Sequence, residues 1–313
     1  MSLSLDAQRL AAAGLELRQD AMGNTFARWI GGQPELPAVA VGAPGGEDAI
    51  RALRAAGYRP RRPIELILFA ATEPARFGIP CLGSRLLSGA LPAWKAARLT
   101  AEDGKTFDEW RAEAGLEGPL DSVAVAPGHY AAFVEMSAEP GGPPLGIATS
   151  FPASAGFRVT VESEGGRDAL CAATELALEV GRISMGAGTA ASAPGSVPDR
   201  IRLSVYVEDI DAARCGQLVS RIATASREAA QRWRLNVKAE VLHMDAPAEC
   251  AAEVMDALTR AAAKHSLACQ RMMARGCHDA QFLSRIAPAG MLLAADAAAG
   301  AQVLADALDE LAG

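Results

Sequence analysis

Ala38-Val-Ala-Val-Gly-Ala-Pro-Gly-Gly-Glu-Asp-Ala-Ile-Arg-Ala-Leu-Arg-Ala-Ala-Gly57, followed by Pro63-Ile-Glu-Leu-Ile-Leu-Phe-Ala70, reads as strand, helix, strand. Ile50 and Leu53 fall on one helical face, and Gly57 stands just past the helix end. The run 64–70 is almost continuously apolar, as in a strand covered on both sides. Strand–helix–strand order with short loops predicts an α/β fold with a mostly parallel sheet.

Outward from this unit, residues 26–30 predict another short strand. Residues 80–118 read as helical, with a turn at Glu102-Asp103-Gly104. Residues 131–136 and 145–150 read as strands on either side of the turn Gly141-Gly142-Pro143-Pro144. Near residue 153 the pattern changes. Residues 157–162, 201–207 and 236–243 read as strands, and 167–181 and 211–232 as amphipathic helices. This β-α-β-α-β order predicts a smaller, ferredoxin-like α/β domain over 153–246, inserted into a larger α/β domain made of 1–152 and 247–313. The last segment returns to helices plus one buried strand at 290–294.

The 313 residues carry 30 Lys and Arg against 37 Asp and Glu, a net charge of −7. That balance disfavours a nucleic-acid or anionic-membrane partner, since both need clustered cations. No apolar run approaches the ~18 to 20 residues that cross a bilayer, and the first ten residues lack the pattern of a secretion signal, so the expected location is cytoplasmic. The six cysteines form no Cys-x-x-Cys pair and suit small buried hydrophobes in a reducing compartment. Ser84 lacks the Gly-x-Ser-x-Gly elbow of a serine hydrolase, and Gly45-Gly46 is too short for a phosphate loop. His129, His243 and His265 share no metal-binding spacing.

Several short blocks in order carry a family resemblance. They are Asp20-Ala-Met-Gly-Asn24 with Phe26-Ala-Arg28; Glu73-Pro-Ala-Arg76-Phe77-Gly78 with Cys81-Leu-Gly-Ser-Arg85 and Gly89; Tyr130-Ala-Ala-Phe-Val-Glu135; Arg167-Asp168-Ala169 and Val197-Pro-Asp-Arg200; and Gly276-Cys-His278-Asp279-Ala280 with Ala287-Pro288 and Met291. Together they resemble the hydantoinase/carbamoylase branch of the aminoacylase-like zinc peptidases. That resemblance implies a phosphorylase-like catalytic domain split by a lid that carries the homodimer contact. It also implies hydrolysis by two divalent metals that polarise a carbonyl and acidify a water, with a Glu as general base.

Set beside that pattern, much of the implied machinery is absent. The segment bearing a terminal ligand and the bridging carboxylate is missing where Val41-Gly42-Ala43-Pro44 runs into the helix. Asp48 is a weak surrogate in the first helical turn. Thr72 stands at the general-base position, Glu73 is the one ligand left in register, and Ser137 replaces a ligand His. Pro140 replaces a substrate-facing Gln, and no His follows His278. In the lid, a segment is missing before Arg167, an Asn is absent at Pro194-Gly195-Ser196-Val197, and Glu208 replaces an Arg that grips the substrate carboxylate. One carboxylate does not hold a metal ion.

The expectation is therefore a catalytically inactive relative (a pseudoenzyme) with no cofactor. It would associate through the lid as a homodimer, or as a heterodimer with an active paralogue. Two alternatives stand beside it. One is a small-molecule binder using the old cleft. The other is a metal-dependent hydrolase of amide or ureido C–N bonds, with zinc or manganese in a site rebuilt from Asp48, Glu135, Glu139 or His278. Arg76, His278 and Asp279 are the candidate ligand pocket. Equally open is a structural role, with Arg76 paired to Glu73 or capping a helix and His278–Asp279 a satisfied pair at a helix start.

Overall fold

The computed structural model describes residue 10, residues 14–163 apart from 44, 75, 102 and 140, residues 167–183 and residues 200–313. The readings at Pro44, at Pro140, before Arg167 and at 194–197 lie outside the described residues. So do the side chains of Arg167 and Asp168. The chain divides into two compact units, Met1–Phe151 with Glu249–Gly313, and Pro152–Ala248.

In the first unit the described strands form one nine-stranded sheet. Its centre is β3 (Ala38–Gly42), buried at every position. It lies parallel to β4 (Ile64–Leu68) on one side and to β5 (Tyr130–Ala138) on the other. β12 (Ala289–Ala294) extends the sheet parallel to β5, pairing Met291 with Glu135. Elsewhere the sheet is mixed. β1 (Glu16–Gln19) with β2 (Thr25–Trp29), β2 with β4, and β12 with β6 (Leu145–Phe151) run antiparallel. β11 (Cys269–Met273) is parallel to β6, and β10 (Ala248–Glu249) ends the strand order beyond β6. The parallel pairing read from the sequence thus holds at the centre and between β11 and β6, while the remaining pairs named here are antiparallel.

Helix α1 (Gly46–Ala55) lays Ala49, Ile50 and Leu53 on the sheet. It packs in one core with α7 (Ala252–Lys264) and the closing helix α9 (Ala297–Ala312). Each fully buried Val, Ile or Leu there, Val39, Ile64 and Leu304 among them, contributes roughly 1.5–3 kcal/mol by leaving water. α9 starts where Asp296 accepts hydrogen bonds from the N–H groups of Ala298 and Ala299, satisfying two of the donors a helix start leaves open.

The charge within the apolar run of β4 is explained by its partners. Glu65 accepts hydrogen bonds from Tyr130 Oη at 2.8 Å and Arg18 Nη2 at 3.2 Å, with Arg28 Nη1 at 3.7 Å. A buried carboxylate needs such partners. Residues 80–118, read as helical throughout, hold three short helices instead: α2 (Leu82–Leu87), α3 (Ala93–Ala96) and α4 (Phe107–Glu113). Gly89 and Gly104, both at positive φ, and Pro92 break the run.

The second unit has a three-stranded antiparallel sheet ordered β8 (Arg200–Asp209), β7 (Ala153–Glu162), β9 (Asn236–Asp245). Helices α5 (Arg167–Ile183) and α6 (Ala212–Trp233) belong to this unit. Its own core joins Phe157, Val159 and Val161 of the central strand to Ala172, Leu176 and Ile222 of the helices.

Candidate functional site

Within the first unit, four segments meet beyond the β4–β3–β5 strands: the loop after β4, the start of α2, the middle of β5 and the start of α8 (Asp279–Leu283). The loop after β4 is tied to α2 by backbone bonds. The N–H groups of Cys81, Leu82 and Gly83 donate to the carbonyls of Thr72, Ala71 and Ala70 at 2.8, 3.1 and 3.1 Å. Ala71 and Cys81 both sit in the left-handed region, at φ 51° and 56°, a strained conformation for residues with a Cβ.

Asn24, fully buried, explains two of the sequence blocks at once. Its side-chain amide donates to Asp20 Oδ2 at 2.8 Å and to the Gly83 carbonyl at 3.3 Å, and its Oδ1 accepts from Ala70 N–H at 2.9 Å. A Cβ at Gly83 would stand 2.2 Å from that Oδ1 and 2.8 Å from the Ala70 carbonyl. Only glycine permits this approach.

α2 presents Ser84 and Arg85 inward. Ser84 Oγ donates to Asp279 Oδ1 at 2.5 Å and also lies 3.1 Å from the Cys81 carbonyl. Arg85 is buried, with Nε donating to the Pro80 carbonyl at 2.8 Å. Its guanidinium lies 4.1 Å from the Phe282 ring centre, and its Nη2 is 3.7 Å from Cys277 Sγ. β5 contributes Glu135 on the face opposite Met136, which joins the core. Glu135 Oε2 accepts the Ala280 N–H at 2.7 Å, and Oε1 lies 3.4 Å from His278 Nδ1. His278 is the N-cap residue of α8, its Nε2 2.8 Å from the Arg275 carbonyl.

The charges follow from these contacts. Burial works against a proton on His278, but the hydrogen bond and charge of Glu135 outweigh it and raise its pKa to about 9. The ring is therefore an imidazolium at neutral pH. Burial, then the charge of Glu135, push Asp279 up to about 7 against the hydrogen bond from Ser84 and the attraction of His278. A carboxyl near neutrality can hold or release a proton, which general acid–base chemistry requires.

His278 and Asp279 thus come together with Glu135, Ser84 and Arg85. Of these three, only Glu135 is a sequence candidate. Arg85 and Ser84 carry no charge pattern that singles them out, and only the packing of α2 against α8 shows them. Arg76 is exposed, 5.8 Å from the Trp110 ring centre. Thr72 and Glu73 are exposed as well, and among the described residues no ion pair joins Glu73 to Arg76. Ser137 lies half-buried on β5, two residues beyond Glu135. Asp48 is an exposed first-turn residue paired with Arg51, and Glu139 is exposed past the end of β5. In the second unit Glu208 is buried on β8. His243 and His265 pair with Asp245 and Asp306, both at 2.8 Å.

Residues 40–306 match the family described as Peptidase family M20/M25/M40. A ureidoglycolate hydrolase of Arabidopsis thaliana is 33% identical, over 90% of this chain and 70% of its own. An N-carbamoyl-L-amino-acid amidohydrolase of Paenarthrobacter aurescens is 27% identical, over 90% of this chain and 80% of its own. The crystal structure of AtUAH in complex with (S)-hydroxyglycine superposes with a TM-score of 0.88 at 30% identity, covering 98% of this chain and 90% of that one.

Two expectations from the sequence are corrected by these findings. The first is the inactive relative: the similar proteins are named hydrolases, so the hydrolase alternative is the better reading. The second is the absence of a cofactor: the same relationship points to metal dependence. The residues present do not fit a metal pair, because among the described residues no group of three or more His, Cys, Asp or Glu could hold a metal ion. Glu135 and Asp279 are taken up by Ala280 N–H, His278 and Ser84, and no chemical step is assigned to a metal. Among the described residues no helix is long and apolar enough to cross a membrane. The match over residues 40–306 and the likeness along nine-tenths of the chain decide the relationship: this chain belongs to peptidase family M20/M25/M40.

Proposed function

We propose that this chain hydrolyses a C–N bond of a ureido or linear amide substrate that carries a carboxylate. The observation behind this reading is the 33% identity, over 90% of the chain, to a protein named ureidoglycolate hydrolase. The geometry of the first unit supports it. Asp279, poised near neutrality, is the group that holds or moves a proton. Glu135 and His278 are positioning residues, because their ion pair and the Ala280 N–H fix the start of α8 and hence Asp279. Ser84 holds the Asp279 carboxyl from the α2 side. Arg85 and His278 bring positive charge beside it, which favours an anionic substrate in a chain of net charge −7.

The test is ammonia release from ureidoglycolate and from an N-carbamoyl-L-amino acid, with manganese or zinc added and again after chelation. Turnover that Asp279→Asn lowers by ~10² or more supports both the activity and the role of Asp279. No turnover of either substrate with either metal overturns the reading.

A further inference from the structure

We propose that a cleft between the end of β2 and the loop after α1 binds a nucleoside phosphate. It lies at the opposite end of β4 from the candidate functional site. Trp29, on its wall, pairs with Ile64 at the start of that strand, whereas the candidate site gathers past the strand's end at Leu68. The cleft measures about 650 Å³, within the roughly 300–1,000 Å³ of small-molecule sites. Arg54, Arg59 and Arg61 line it, and no Asp or Glu does. All three arginines are exposed, and among the described residues none of them pairs with a carboxylate. Arg61 Nε donates instead to the neutral Gln33 Oε1 at 2.9 Å. Three unneutralised guanidinium groups on one cleft, in a chain of net charge −7, make a local positive field that attracts a multiply charged anion. Phosphate suits them, because a guanidinium meets its oxygens through two parallel N–H···O bonds.

The rest of the lining is apolar and aromatic. Ile30 is exposed, and Trp29 and Tyr58 are half-buried with ring centres 6.1 Å apart at 82°. The Arg54 guanidinium lies 5.2 Å from the Trp29 ring centre, so the cationic and aromatic walls adjoin. An inorganic phosphate would use the arginines alone. A nucleoside phosphate uses both walls, its base packing on the rings and its phosphates pairing with the arginines. The cleft is also firmly built. Gly32 N–H donates to the Pro60 carbonyl at 2.9 Å, Gln33 N–H to the Arg61 carbonyl at 2.7 Å, and Arg61 N–H to the Ala312 carbonyl at 3.0 Å. Tyr58 Oη donates to the Asp309 carbonyl at 3.0 Å, which fixes its ring. A Cβ at Gly31 would stand 2.5 Å from the Arg62 carbonyl carbon and 2.6 Å from the Arg61 carbonyl oxygen, so only glycine lets the two loops close this tightly. A site whose walls are set before binding spends less of its binding energy on ordering them.

The readout is binding and does not depend on hydrolytic activity. The full wild-type chain is titrated with ADP, and separately with inorganic pyrophosphate, by calorimetry at low salt without divalent metal. Its melting temperature is followed with and without excess ADP. The expected result is saturable one-to-one binding of ADP, tighter than that of pyrophosphate, with a rise in melting temperature. ADP should also change the tryptophan fluorescence, and Trp29→Phe should remove that change. The double variant Arg59→Glu/Arg61→Glu, altered only at exposed positions, should keep the melting temperature of the free chain and bind ADP about tenfold or more weakly. Neither heat nor a melting shift with ADP on the wild-type chain overturns the proposal. So does undiminished ADP binding by the double variant, which would place the ligand elsewhere. Pyrophosphate binding as tightly as ADP overturns the assignment to a nucleoside, since the aromatic wall would then contribute nothing. The first and last outcomes are read on the wild-type chain, so a folding defect in a variant does not affect them.

Discussion

The His278–Glu135 pair sets a pH dependence whose sign follows from its partners. Below about pH 6.5 the imidazole is charged in both the folded and unfolded chain, and the pair contributes fully. As pH rises through about 9 that contribution is lost. The amount is up to roughly 3 kcal/mol. Asp279 acts in the same direction at lower pH. Its raised pKa means the fold favours the protonated acid, so that stability is complete below about 3.8 and gone above about 7. The melting temperature of the wild-type chain is expected to fall by several degrees between pH 4 and 9.5. Asp279→Asn should flatten the part below pH 7, and Glu135→Gln the part between 6.5 and 9. Unaltered slopes in both variants, followed by circular dichroism, would count against these assignments. Only part of this site is legible in sequence. His278-Asp279 is picked out by the family resemblance of the block Gly276–Ala280, and its place at a helix start is local. Their partners are not local, since Ser84 and Glu135 reach Asp279 and His278 across gaps of 195 and more than a hundred residues that only the folded sheet closes.

Elements whose pattern is carried by their own side chains are the ones the sequence reveals. β3 at Ala38–Gly42 and helix α1 at Gly46–Ala55 fall in order within the stretch read as strand and helix, because burial on one or both faces repeats with the period of the element. β1, Glu-Leu-Arg-Gln, is mostly exposed, and β11 carries Gln270 and Arg271 facing solvent. Both are strands by virtue of a backbone ladder to a distant partner, β2 and β6 respectively, so no local apolar alternation marks them. Helix α6 is long, capped by Asp211 and ended by Arg234 in the left-handed region. Within it Gly216 has open space where a Cβ would go, and its φ lies outside the positive region. Glycine there costs backbone entropy without serving a turn or a close approach. Gly216→Ala is expected to stabilise the second unit by about 0.5–1 kcal/mol, measured as an upward shift in the urea midpoint. A downward shift would mean that this face of α6 is packed more closely than the free space implies.

At the scale of the whole chain, the connection between the two units determines what can be separated. The second unit begins at Pro152 and ends at Ala248. Its first and last strands, β7 and β9, are antiparallel neighbours, and Ser154 stands opposite Asp245 in their register. Residues directly opposite in such a ladder are ~5 Å apart, so the unit leaves and rejoins the chain at nearly one point. It also has a hydrophobic core of its own, in which Phe157, Leu203, Leu176 and Ile222 meet. A segment with adjacent ends and its own core meets the physical requirement for independent folding. At 97 residues it is of a size at which the buried surface suffices without a disulfide or a metal. Residues 152–248 expressed alone are therefore expected to unfold cooperatively. Far-ultraviolet circular dichroism should show mixed helix and strand, and heat and urea should each give a single sigmoidal transition. The near-ultraviolet signal of Trp233, packed against that core and donating its indole N–H to Glu175 at 2.7 Å, reports fixed side-chain packing and should vanish in the same transition. A broad, non-cooperative melt with no near-ultraviolet signal would mean that the three-stranded sheet depends on the rest of the chain for its order.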